Sequence, residues 1–116
     1  MKIRIKGNSV RYRLTKSDVE KLGATGFLEE RSEFAGKTLV YAINSTKDDT
    51  LSADYVLDRI ELRMPKVMID ELNNTDSVGF EDRTGPVSLL VEKDFTCLDN
   101  VEEDQSDNFP NPLIRQ

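Results

Sequence analysis

The chain contains no histidine and a single cysteine, Cys97. Without an imidazole there is no Ser-His-Asp or Cys-His scheme for nucleophilic attack, and zinc loses its commonest ligand. Cys97 stands near Asp99, whose charge raises a thiol pKa rather than lowering it. It reads as a small, partly buried side chain closing the last strand. One cysteine excludes an internal disulfide and fits a reducing compartment. No apolar run approaches the roughly 18 residues of a membrane span, and the N-terminus lacks the apolar stretch of a signal peptide. A cytoplasmic protein with no membrane partner is expected. No phosphate-binding glycine loop, dinucleotide fingerprint or GxSxG elbow occurs, so no catalytic residue is assigned.

What the chain does have is charge. Charged residues make up 33% of its 116 positions, apolar residues 37%, and the net charge is −6. With a pI near 4.7, bulk electrostatics oppose general nucleic-acid binding. The charge is unevenly spread. Lys2, Arg4, Lys6, Arg11, Arg13 and Lys16 all precede the first acid, Asp18, whereas residues 99–116 form an acidic, proline-containing segment. Such asymmetry marks either an interaction site or two ends that meet in the fold.

Alternation dominates the chain. Met1, Ile3 and Ile5 oppose Lys2, Arg4 and Lys6 across one strand, and Val10, Tyr12 and Leu14 oppose Arg11 and Arg13 across the next. A Gly7-Asn8 turn pairs Ile5 with Val10 and Ile3 with Tyr12, so the two apolar faces coincide. The same register sets Arg4 opposite Arg11 and Lys2 opposite Arg13, a like-charge ladder costing a few tenths to about 1 kcal/mol per pair. Thr15 reads as a helix N-cap with Asp18 at the third position, and Gly23 as the C-terminal stop of a helix over 16–22. Two strands meet at Ala35-Gly36. Residues 55–64 read as one long strand with Ile60, Leu62 and Met64 inward. Pro65 opens a second short helix over 65–73. Two further strands precede Phe95. No internal repeat is evident. One domain over 1–116 is expected, of α+β class. It should hold six or seven strands in a mainly antiparallel sheet, because most connections are too short for parallel crossovers, and that sheet could curl into a half-barrel or barrel.

The outward strand charges are the candidate site. Lys2, Arg4, Arg11, Arg13, Arg59 and Arg63 form a candidate anion-binding set, with Glu61, Glu92 and Asp94 as nearby strand acids. On an open sheet these charges form cross-strand ion pairs in solvent; on a curled one they line a polar cavity. Tunnel-type triphosphate-processing enzymes use such a cavity, but they begin Glu-x-Glu-x-Lys and this chain begins Lys-x-Arg-x-Lys. Asp99, Glu102, Glu103, Asp104 and Asp107 supply hard oxygen atoms suited to calcium or magnesium. Their spacing matches no EF-hand, and a solvated or partner-facing acidic segment is the preferred reading. No cofactor is predicted, with a divalent cation as the alternative.

The stretches "MKIRIKGNSVRYRLTKSDVEKL", "LLVEKDFTCL" and "EDQSDNFPNP" together resemble a family of small bacterial proteins known only as a domain of unknown function. The resemblance implies a bacterial, single-domain, cytoplasmic protein and carries no activity or ligand with it. The residues themselves suggest a non-enzymatic binding or protein-interaction module whose basic N-terminal strand face meets an anionic partner, either another protein or the chain's own tail. The alternative is a protein that binds a phosphorylated small molecule, or a metal-dependent phosphohydrolase, using the same face. A homodimer joined through a sheet edge is a third reading.

Overall fold

The N-terminal hairpin shows how the alternation is used. The computed structural model describes residues 1–95 and 106–110. In it β1 (Lys2–Lys6) and β2 (Ser9–Leu14) pair in the expected register, Ile3 with Tyr12 and Ile5 with Val10. Gly7, at φ 53°, makes the turn. Tyr12 and Leu14 are fully buried and Ile3 packs against the core, whereas Ile5 shares their face but is 55% exposed.

Helix α1 (Lys16–Thr25) follows. Thr15 and Asp18 form the expected capping box, and the ammonium of Met1 lies 2.8 Å from Asp18 Oδ2. The helix runs past Gly23 and stops at Gly26, whose left-handed φ of 74° is the real cap. Gly23 has another use. A Cβ there would come within 2.5 Å of the Asn73 amide nitrogen. That nitrogen donates to the carbonyls of Val19 and Ile69, tying the two helices together. The second helix, α2 (Lys66–Asn74), has Pro65 as its N-cap rather than its first residue.

The described residues form eight strands rather than six or seven. β3 (Phe27–Phe34) and β4 (Lys37–Thr46) turn at Ala35-Gly36 as expected. The stretch read as one long strand is a hairpin of β5 (Ser52–Val56) and β6 (Arg59–Pro65), turning through Leu57 and Asp58 at φ 48° and 64°. Left-handed backbone at a leucine costs about 1–2 kcal/mol, and no glycine announces the turn, so the alternation reads straight through it. β7 (Gly79–Asp82) and β8 (Ser88–Lys93) complete the set.

Two mixed sheets result, ordered β1-β2-β8-β7 and β3-β4-β6-β5, and neither closes into a barrel. The outer pairs are antiparallel, but β2 runs parallel to β8 and β4 parallel to β6. This corrects the antiparallel expectation. Short connections rule out parallel strands only between consecutive elements; here the parallel neighbours are the second strands of separate hairpins.

The same arrangement contains an internal structural repeat. β1-β2-α1-β3-β4 and β5-β6-α2-β7-β8 are two copies of one unit, and each sheet takes the first hairpin of one copy and the second hairpin of the other. The registers match where the strands pair. Tyr12 lies beside Val91 as Leu62 lies beside Ile43, and Ile3 opposes Tyr12 as Ala53 opposes Leu62. Linking hydrogen bonds repeat too: Ser88 N–H donates to Asn8 C=O (2.8 Å), and Val40 N–H to Asp58 C=O (2.9 Å). Sequence did not reveal the repeat because the copies share burial pattern rather than residue identity: Tyr12 matches Leu62, and Thr15 matches Pro65.

Both inner faces meet in one core with Val19, Leu22, Ile69 and Leu72 from the helices. The Tyr12 hydroxyl is buried with no hydrogen-bond partner among the described residues, and burial pushes its pKa up. Among the described residues no helix is long and apolar enough to cross a membrane.

Two substitutions test this packing. A Cβ at Gly79 would lie 2.3 Å from the Val91 carbonyl oxygen and 2.8 Å from Glu92 Cα, main-chain atoms that cannot swing aside. Gly79→Ala is therefore expected to lower stability by about 1–3 kcal/mol, read from the urea midpoint. Tyr12→Phe removes an unsatisfied buried hydroxyl and is expected to raise stability by about 1 kcal/mol or more in the same assay.

Candidate functional site

The outer face of the first sheet gathers the N-terminal bases. Strand alternation puts Lys2, Arg4 and Lys6 of β1 and Arg11 and Arg13 of β2 on the side away from the core. Arg4 stands opposite Arg11, and Lys2 opposite Arg13. The parallel neighbour β8 supplies one carboxylate among them, Glu92, directly beside Arg13. Its Oε1 lies 3.2 Å from Arg13 Nε and 3.6 Å from Arg11 Nε, so two guanidinium groups share one oxygen. Lys2 Nζ lies 3.0 Å from Oδ2 of the buried Asp94. Arg4 and Lys6 have no ion-pair partner among the described residues. A hollow of about 160 Å³ opens here, lined by Lys2, Ile3, Arg4, Arg11 and Arg13.

Arg59 and Arg63, expected in the same set, are elsewhere. They sit on β6, on the outer face of the second sheet, where acids already match them. Arg59 contacts Glu29 (2.7 Å) and Glu61 (3.2 Å), and Arg63 pairs with Asp54. The hydrogen bond from Arg59, with a further one from Arg31, holds the Glu29 carboxyl below its ordinary range, and the Arg63 guanidinium is raised chiefly by its bond to Asp54. This face is a closed network of ion pairs. Glu61 serves it rather than the N-terminal ladder.

Of the candidate metal ligands, Asp99, Glu102, Glu103 and Asp104 lie outside the described residues, as does Cys97. Asp107 is described, and it is placed at the start of α1. The Lys16 N–H donates to the Asp107 carbonyl oxygen (3.1 Å). Hydrogen bonds from the Ser17 and Thr15 side chains hold the Asp107 carboxyl below its usual range. Phe109 then rests against Phe95, with ring centroids 6.0 Å apart, and lies under the Lys93 ammonium at 4.9 Å. Residues 106–110 thus dock on the domain as a capping strap. Among the described residues no group of three His, Cys, Asp or Glu side chains is arranged to hold a metal ion.

The sequence reading missed a second feature, an apolar cleft of about 590 Å³ along β5 between the two sheets. Val10, Leu39, Leu51, Ile60 and Leu89 line it, each of which reads in sequence as ordinary core. The β7–β8 turn and β5 border it together, and alternation does not announce that they meet.

The strap generates a pH prediction. Because the folded pKa of Asp107 is depressed, its contribution is complete above the unfolded value, about 3.9, and is lost as pH falls through the folded value. Asp107→Asn keeps a hydrogen-bond acceptor but not the charge. Its thermal midpoint is expected below that of the unmodified protein at pH 7, with the gap closing in acid. An equal gap at pH 7 and pH 2.5 would show that the carboxylate charge contributes nothing.

No curated protein and no solved structure matches the chain. Residues 1–113 match a family described as a family of unknown function, DUF7009. With the match running almost from end to end, the chain belongs to that family.

Proposed function

We propose that the protein is a non-enzymatic binding module that uses the outer face of its first sheet to hold an anionic group on a partner. The observation that carries this reading is the pairing of Arg4 with Arg11 beside Lys6, where Arg4 and Lys6 have no counter-charge among the described residues. Opposed like charges cost free energy that nearby anions would offset, and Glu92 is already shared by Arg11 and Arg13. Among the described residues the face presents donors and no nucleophile paired with a base. A hollow of about 160 Å³ suits one phosphoryl or carboxylate group, not a whole nucleotide.

Titration with tripolyphosphate, followed by backbone amide shifts and calorimetry, tests the reading. Binding is expected to perturb the amides of Lys2–Lys6 and Ser9–Leu14 and to weaken with salt. Arg4→Glu is expected to weaken it about tenfold, the loss of one charge-assisted contact. Arg31→Gln, on the other sheet, is expected to leave it unchanged. Equal loss in both variants, or shifts confined to other strands, would refute the assignment.

A further inference from the structure

The cleft beside β5 has a shape that chooses its occupant. Thr50, Leu51, Ser52, Ala53, Asp54 and Tyr55 all line it. Side chains alternate across a strand, so successive residues line one cleft only when it runs along the strand's edge. β5 is such an edge: among the described residues it pairs with β6 on one side and with no strand on the other. The main-chain groups on that free side therefore border the cleft.

The opposite wall is made by Asp82 and the 84–87 turn. β7, the strand that leads into this turn, is short. β7 has 4 residues, whereas β3, its counterpart in the repeat, has 8. The floor is apolar, and apolar surface spreads over the rim: Ile5 is 55% exposed, Tyr55 68%, Val56 62% and Leu57 93%. Charge at the cleft has one sign. Among the described residues its lining includes the carboxylates of Asp54 and Asp82 and no basic side chain. Asp54 is matched by Arg63. Asp82 accepts hydrogen bonds from the Thr84 hydroxyl (2.6 Å) and N–H (2.9 Å) and has no cationic partner among the described residues.

We propose that the free edge of β5 and the apolar cleft beside it take up an extended segment of a partner protein, added as a further strand, with apolar side chains at alternate positions and a lysine or arginine facing Asp82. Strand addition satisfies the edge through main-chain hydrogen bonds while pockets read alternate side chains. A small apolar molecule would fill the floor but leave the edge of β5 unpaired. A second copy joined β5 to β5 would bring two acidic rims together in a protein of net charge −6. The site stands apart from the basic face of the first sheet, and either reading can fail without the other.

The test uses the full chain and a seven-residue peptide of alternating valine and lysine, blocked at both ends. Binding is expected to shift the amides of Ser52–Val56. The same peptide N-methylated at alternate residues is expected to bind at least about tenfold more weakly, because edge hydrogen bonds are lost. A valine–glutamate peptide is expected not to bind the unmodified protein but to bind Asp82→Lys, which in turn loses the lysine peptide. Amide shifts away from β5, indifference to N-methylation, or failure of the charge exchange would each overturn the proposal. Concentration-dependent dimerisation through β5 that excludes the peptide would also overturn it and assign the cleft to a second copy.

Discussion

Between β2 and β8, and again between β4 and β6, strands from opposite halves of the chain run parallel and share their inner faces. Tyr12 and Val91 meet at one seam, Leu62 and Ile43 at the other, and all are fully buried. An isolated hairpin is marginal in water, and each hairpin here gains a four-stranded sheet only through its seam. The seams therefore determine which faces are inward. Once Tyr12 and Leu62 point to the core, Arg11 and Arg13 must point out from one sheet and Glu61 and Arg63 out from the other.

The two outer faces have different characters for a reason rooted in strand order. In the second sheet the hairpins bring Glu29, Glu61 and Asp54 alongside Arg59 and Arg63, so attraction is spread over neighbouring strands. In the first sheet β1 and β2 are both basic, and among the described residues only Glu92 of β8 and Asp94 just beyond it pair with them. Exposed pairs each contribute about 0–1 kcal/mol, so the difference says little about stability. It says more about which surface has spare donors.

Local features of this fold were legible in sequence, and long-range ones were not. The first hairpin, its register and the Thr15–Asp18 capping box follow from residues within a few positions of one another. Parallel pairing of β2 with β8 joins residues far apart in the chain, and nothing near Arg13 names Glu92 as its neighbour. The Leu57-Asp58 turn was hidden because its backbone is one that leucine seldom adopts. The candidate site fared likewise. Lys2, Arg4, Arg11 and Arg13 share a face because one hairpin holds them, while Arg59 and Arg63 match the same alternation on a different sheet. Alternation gives a residue's side of its strand and is silent about which sheet the strand joins.

The exchange of hairpins between the two halves has a consequence for how the molecule assembles. Of the eight described strands, β1 is made earliest and belongs to the sheet that β8, made latest, completes. A growing chain that has reached only β4 holds two hairpins assigned to different sheets, each waiting for a partner not yet made. Contacts this distant in sequence slow folding, since the intervening chain must be ordered before they form. The N-terminal half should therefore stay without lasting structure on the ribosome, and folding should begin in earnest only when Val91 has cleared the exit tunnel.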